Sequence, residues 1–280
     1  MACEWCDDTG WKPIEVDGVR RVERCKCWRD SIGKQRLSDA GIPKRYQHCS
    51  IANFVAYNES LKRAAAHALR VADAFPVVSH GLFLEGQPGV GKTHLAVAVL
   101  KQVIQTSGAR GLFCDTRDLL RVIRSTYDRS LRTTEVEVLR PVMTADLLVL
   151  DDLGAEKTSE WVEETMNLIV NTRYNDRRLT IFTSNYPDIP DDTDPNSLLG
   201  RIGHRMRSRL HEMCDFLPMD GADYRELPVN GGVDDLVTLW KTRRKSLPNR
   251  TGRQARAQLR DPGVRDNRAD LKWPGGRAGS

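Results

Sequence analysis

The chain has 280 residues, 40% of them hydrophobic and 29% charged, with a net charge of +5. Those proportions exclude a fibrous or wholly disordered chain and leave room for a globular domain with appendages. No apolar run approaches the roughly 18 residues that a membrane crossing needs, and Met1 to Asp8 lack the basic and apolar regions of a signal peptide, so a cytoplasmic protein with no membrane partner is expected.

In that compartment the seven cysteines stay reduced and serve as metal ligands or buried side chains before they serve as disulfides. Charge is unevenly spread. Residues 241–280 hold twelve Lys or Arg against three Asp, a local +9 that leaves −4 for the first 240 residues. A charge argument for nucleic acid therefore applies first to the basic end.

In chain order, Cys3-Glu4-Trp5-Cys6 and Cys25-Lys26-Cys27 come first, two close pairs separated by eighteen residues. Such pairs bring four thiolates to the corners of a Zn²⁺ tetrahedron, and Val16-Asp17-Gly18-Val19 between them reads as a hairpin turn. A redox C-x₂-C or unligated thiols are the alternatives. The chain is then basic and helical before Gly41-Ile42-Pro43-Lys44-Arg45-Tyr46, a predicted linker. Leu61, Ala65, Ala68, Leu69 and Ala72 recur at helical spacing and predict a helix from Glu59 to Phe75.

The strongest signal is Gly86-Gln87-Pro88-Gly89-Val90-Gly91-Lys92-Thr93, set between the strand-like Leu82-Phe83-Leu84 and the helical Leu95 to Leu100. Gly86, Gly89 and Gly91 let the backbone turn its N–H groups toward phosphate oxygens, and the helix start adds its dipole. Lys92 can reach the β- and γ-phosphates, and the Thr93 hydroxyl can ligate Mg²⁺. A glycine-rich turn that binds nothing is the bland alternative, and it does not account for the flanking strand and helix.

Gly111-Leu112-Phe113-Cys114 is a second buried strand, followed by a helix through Leu119, Leu120, Val122 and Ile123. Leu147-Leu148-Val149-Leu150-Asp151-Asp152 then reads as a central parallel strand delivering two carboxylates to the edge where ligands of such sheets bind. Asp151 would hold Mg²⁺, and Asp152 would orient or deprotonate the attacking water. A solvated acidic turn is the competing reading. Trp161, Thr165, Leu168, Ile169 and Thr172 predict the inward face of a helix, and Leu179 to Ser184 a further strand with Asn185 at its tip, either sensing a γ-phosphate or starting a turn.

Between Gly200 and Leu210 lie Arg201, Arg205, Arg207 and Arg209. On one helix they cannot share a face, so some project toward another molecule or form a generic basic surface. Val233, Leu236, Leu239 and Trp240 mark a last helical stretch before a Pro-, Gly- and Arg-rich end. That composition is predicted to stay disordered and to offer charge to nucleic acid or a partner.

Taken together these motifs resemble the AAA+ ATPases of the bacterial and phage helicase-loader group, related to the ATP-binding helpers of certain insertion-sequence transposases. The resemblance runs from residue 1 to about residue 230. It implies an α/β fold, a P-loop AAA+ core with a central parallel sheet flanked by helices, preceded by a small cysteine-rich zinc-binding module. It places the sensor 1 role on Asn185, the arginine finger on Arg209 with Arg205 as the fallback, and a sensor 2 role on Arg225. Asp152 stands where AAA+ proteins at large carry Glu.

The expected organisation is a partner-binding zinc region at 1–50, an ATPase domain at 51–230 and a basic tail at 231–280. The expected activity is ATP hydrolysis with Mg²⁺ by a protein that loads the replicative helicase hexamer onto single-stranded DNA and self-associates through the ATP site. An IstB-like transposition helper that binds duplex DNA and a transposase would share that chemistry, and a nucleotide-switched scaffold with negligible hydrolysis is a third reading.

Overall fold

The computed structural model describes residues 3–7, 9–16, 18–127, 134–157 and 159–246. Strands β1 (Trp11–Val16) and β2 (Val19–Arg24) pair antiparallel with Val16 opposite Val19, and Gly18 turns between them at φ +74°. Helix α1 (Lys26–Asp39) follows at once with Cys25 as its N-cap.

Five further strands make the central sheet: β3 (Gly81–Gly86), β4 (Gly111–Asp115), β5 (Leu147–Asp151), β6 (Leu179–Ser184) and β7 (Cys214–Met219). Their spatial order is β4-β5-β6-β3-β7 and every pairing is parallel. Side chains alternate across a strand, so a sheet covered on both faces needs apolar residues at nearly every position. Leu82, Leu84, Val149 and Ile181 pack with α2 (Glu59–Ala74) and α3 (Lys92–Ser107) on one face. Phe83, Leu148, Leu150 and Phe182 meet α4 (Thr116–Ser125), α5 (Glu135–Thr144), α6 (Glu160–Asn175) and α7 (Leu198–Met213) on the other.

Helix α1 lies against α3, with Gly33 over the Ile104–Gln105 backbone and Ile32 beside Gly108. The segment Gly41 to Tyr46, expected as a linker, is instead packed. Ile42 and Tyr46 join the core, with the Tyr46 ring 6.4 Å from that of Phe113. Two apolar side chains in so short a stretch gain more from burial than from solvation. The cysteine-bearing end is therefore mounted on the core through α1.

The inward face of α6 also differs from the periodicity reading. The helix buries Thr165, Met166, Ile169, Val170 and Arg173, while Leu168 stays 47% exposed. Arg173 sets the rotation. Its guanidinium donates to the carbonyls of Val142 (2.9 Å), Ala145 (2.9 Å) and Leu179 (2.6 Å) and to Thr180 Oγ1 (2.9 Å). Burial among neutral acceptors pulls its pKa down to about 9. The bonds nonetheless stabilise the fold, because each buried carbonyl left unpaired would cost roughly 1–3 kcal/mol. In α4, Val122 is likewise turned out to solvent while Leu119, Leu120 and Ile123 are buried.

Helix α7 is broken at Gly203, whose φ of +75° and ψ of 165° suit glycine alone. The chain divides into two compact units, Met1–Trp240 and Lys241–Ser280. Within the first unit, the start of α8 (Val233–Ser246) buries Leu236, and the Trp240 indole donates to Asp220 Oδ2 at 2.9 Å. The basic end expected to be disordered lies outside the described residues from 247 onward. No helix among the described residues is long and apolar enough to cross a membrane.

Candidate functional site

The turn between β3 and α3 carries Gly86, Gly89 and Gly91 at φ +150°, +78° and +100°, backbone that only glycine adopts without strain. Gly91 is the N-cap of α3, so the unpaired N–H groups of that helix open onto the turn. Gly89 has a second reason to be glycine: a Cβ there would lie 1.7 Å from Asp223 Oδ1. The 3₁₀ turn Tyr224–Glu226 is thereby seated on the loop, with Tyr224 N donating to Gly89 O at 3.1 Å. Pro88 lines the cavity beside the loop, whereas the Val90 side chain is turned into the core.

Lys92 is 6% exposed, and its Nζ donates at 2.8 Å to Gly86 O, to Gln87 O and to Asn185 Oδ1. Burial lowers its pKa to about 8, against the pull of Asp152 and Asp151. An ammonium surrounded by neutral oxygens at a ring of backbone N–H groups is a site for an anion.

Asp151 ends β5 and is 7% exposed. It accepts from Thr93 Oγ1 at 2.9 Å and from Thr183 Oγ1 at 2.7 Å. Burial raises its pKa against those two bonds. Among the described residues no Lys or Arg pairs with this carboxylate, so it suits a cation that also takes the Thr93 hydroxyl.

Asp152 steps off the strand at φ +59°, a conformation that Asp tolerates, and its N–H is held by Thr183 Oγ1 at 2.9 Å. Its carboxylate thus points away from that of Asp151 and accepts from Asn185 Nδ2 at 2.5 Å, with Arg117 Nη2 4.0 Å away. Desolvation raises the Asp152 pKa while Arg117 opposes the rise. Asn185 therefore bridges Lys92 and Asp152, and Thr183 bridges Asp151 and Asp152.

These groups and Arg225 line one cavity of about 600 Å³. Its far wall is the segment from Arg45 to Val55, tied to α3 where His94 Nε2 meets Ser50 O at 3.0 Å and Asn53 Oδ1 at 2.9 Å. Lys101 Nζ donates to Cys49 O at 2.7 Å and to Gln47 O. The cavity is of a size to take a nucleoside triphosphate, with Lys92, Thr93, Asp151, Asp152 and Asn185 gathered at the phosphate loop and Arg45, His48 and Asn53 on the far wall.

Arg209 and Arg205 lie outside this cavity. Arg209 Nη1 donates to Arg205 O at 3.2 Å on α7, and Arg205 is exposed. Arg201 is spent on the Tyr186 ring, 4.5 Å from its centroid, and Arg207 on Asp188. Sequence reasoning missed Thr183, Arg117, His94 and the Arg45–Val55 wall. Only His94, immediately after Thr93, left a local signal.

Cys3, Cys6, Cys25 and Cys27 also converge, their four Sγ atoms within 4.8 Å of one another. The Cys3 and Cys25 Sγ atoms are 3.8 Å apart and those of Cys6 and Cys27 3.3 Å, and none of the four is in a disulfide. A tetrahedron of thiolates at the Zn–S distance of about 2.3 Å has edges of about 3.8 Å, so the donor set fits Zn²⁺.

Residues 23–226 match the family model described as "IstB-like ATP binding protein". Among curated proteins the chain is 30% identical over 172 residues to the replicative helicase loader DnaC of Buchnera aphidicola subsp. Acyrthosiphon pisum, an alignment covering 61% of this chain and 68% of that protein. DnaC of Escherichia coli K12 is 28% identical over 175 residues, covering 62% and 69%. Among solved structures, "Crystal structure of the DnaC helicase loader" is 35% identical, covers 63% of this chain and 99% of that one, and superposes with a TM-score of 0.56. The parallel sheet and flanking helices are thus those of an AAA+ ATPase. With its phosphate loop, paired acids and Asn185 inside the matched region, the chain belongs to the IstB-like ATP-binding protein family.

Proposed function

We propose that the chain is an ATP-hydrolysing loader that places the replicative DNA helicase hexamer on single-stranded DNA in the cytoplasm. One observation carries the reading: phosphate-binding and acid groups gather around one cavity, in a chain 35% identical to a solved helicase-loader chain of which it covers 99%.

Lys92 and the N–H groups around Gly86 to Thr93 bind and orient the triphosphate of ATP. Asp151 and Thr93 would hold Mg²⁺, which when bound supplies Lewis-acid charge to the phosphate oxygens. Asp152, its pKa raised by burial, takes the proton of the attacking water. Asn185 keeps Asp152 and the γ-phosphate in register, and Arg225 contacts the nucleotide from the Tyr224–Glu226 turn. Arg209 lies outside its own cavity and completes the site of a neighbouring subunit, so that ATP reports assembly.

The cysteine module would be closed by Zn²⁺, which supplies a four-thiolate cross-link. Its exposed Trp5 (76%) and Val22 (67%) give it an apolar surface for the helicase. The family description keeps the transposition reading as the alternative, and the similarity to DnaC chains favours the loader.

Capture of the purified replicative helicase by the full chain tests both the function and the module. The wild-type chain is expected to carry about one Zn²⁺ and to retain the helicase. The double variant Cys6→Ser, Cys27→Ser is expected to lose both while still binding ATP. Equal capture by the zinc-free chain would remove the module from partner binding, and failure of the wild-type chain with tight duplex binding would favour the transposition helper.

A further inference from the structure

The second half of α7 has two opposed faces. Residues four apart on a helix share a face, and residues two apart point nearly opposite ways. Met206 and Leu210 face the core, with Arg205 and Arg209 on one flank of the helix and Arg207 and His211 on the other.

The flank of Arg207 and His211 is clasped. The Asp188 side chain is 12% exposed and receives the Arg207 guanidinium through two nitrogens, Nε to Oδ1 and Nη2 to Oδ2, the latter at 3.1 Å. His211 Nε2 lies 2.9 Å from the same Oδ2. The His211 ring stacks on Phe216 at 4.1 Å, and Phe216 stacks on Phe83 of β3 at 4.4 Å. On the α6 side, Tyr174 Oη donates to Glu212 Oε2 at 2.8 Å.

Asp188 is itself tied to the phosphate end of the nucleotide site. It follows Asn185 by three residues, and its backbone N–H donates at 2.6 Å to Glu85, the residue before Gly86 of the phosphate loop. One residue thus joins, through its backbone N–H, the strand that carries the loop and, through its carboxylate, the helix that carries Arg209, three residues beyond Asn185. The Gly203 break leaves that half-helix without a rigid continuation on its N-terminal side, so the clasp adds to the burial of Met206 and Leu210 in setting its seat.

We propose that Arg207 is a positioning residue for Arg209, its fork on Asp188 setting where the neighbouring subunit's nucleotide finds the finger. The proposal rests on the trans role given to Arg209 above. A bidentate guanidinium–carboxylate pair fixes orientation as well as distance, which a lysine ammonium does not. A finger displaced by about 1 Å loses on the order of 10²-fold in rate.

Mixing of variant subunits separates this role from a structural one. Lys92→Ala, Arg209→Ala and Arg207→Ala chains are each expected to hydrolyse ATP slowly alone, the last by about 10²-fold with its ATP affinity unchanged. Mixed one to one with Lys92→Ala chains, whose α7 is intact, Arg209→Ala chains regain about a quarter of the wild-type rate, the share of head-to-tail interfaces that pair a good pocket with a good finger. Arg207→Ala chains are expected to regain the same share.

Recovery with Arg209→Ala but not with Arg207→Ala would place Arg207 in its own subunit's site and overturn the proposal alone. Recovery with neither removes the trans finger and the proposal with it. Should Arg207→Ala melt at a lower temperature than the wild type, Asp188→Asn opens the same clasp with a smaller change and carries the same expectations.

Discussion

Lys92→Ala is expected to abolish ATP binding at working concentrations while leaving the fold intact. The ammonium sits among Gly86 O, Gln87 O and Asn185 Oδ1, all neutral acceptors, so it enters the nucleotide-free site with its charge only partly compensated. A triphosphate completes the pairing. Truncating one partner of such a buried charged contact costs about 2–5 kcal/mol, or roughly 30- to 4,000-fold in Kd.

The free-site pKa of about 8 adds a pH signature. Phosphate raises it, so below pH 8 the lysine is charged with and without nucleotide and affinity is full. Above pH 8 binding must take up a proton, and the wild-type Kd is expected to rise by up to about tenfold per pH unit. Titration with a fluorescent ATP analogue between pH 7 and pH 9.5 checks both parts. Tight binding by Lys92→Ala, or a flat wild-type profile, would remove Lys92 from the phosphate contact.

Asp152→Asn is expected to separate binding from hydrolysis. Asparagine accepts the left-handed backbone that the φ of +59° imposes, and it keeps a partner for Asn185. Fold and ATP affinity should therefore change little, within about threefold in Kd. The proton acceptor is gone, and general-base catalysis contributes about 10²–10⁴-fold. Phosphate release should fall by that factor, leaving a chain trapped with ATP. Release at the wild-type rate would mean that another group takes the proton and that Asp152 only orients the loop.

The phosphate loop was legible because its chemistry is local: the glycines, Lys92 and Thr93 are consecutive and lie between a strand and a helix in the sequence itself. Asp151 and Asn185 were legible as strand tips for the same reason. How the two acids, given separate roles, come to face different partners was not. Their separation depends on the positive φ of Asp152 and on Thr183 bridging from the adjacent strand. That contact is set by sheet order, which no local pattern encodes.

The strand β7 escaped notice because Asp215 and Pro218 interrupt its apolar run, and it tolerates proline as an edge strand beside β3. The periodicity of α6 misled because its largest fully buried side chain is Arg173, a residue that hydropathy places outside. The resemblance of the cysteine spacing to a zinc module found four thiols in one place, yet spacing alone could not say that α1 would lay them on the ATPase core.

If ATP held by this site governs delivery of a helicase to DNA, loading must fail without it. The most direct measurement is the transfer of the purified replicative helicase hexamer onto closed circular single-stranded DNA, scored by helicase retained on the circle after the free proteins are removed. The full chain with ATP is expected to load it, and Lys92→Ala to leave the circle bare. A chain that forms no helicase complex and instead coats duplex DNA when ATP is added would contradict the account.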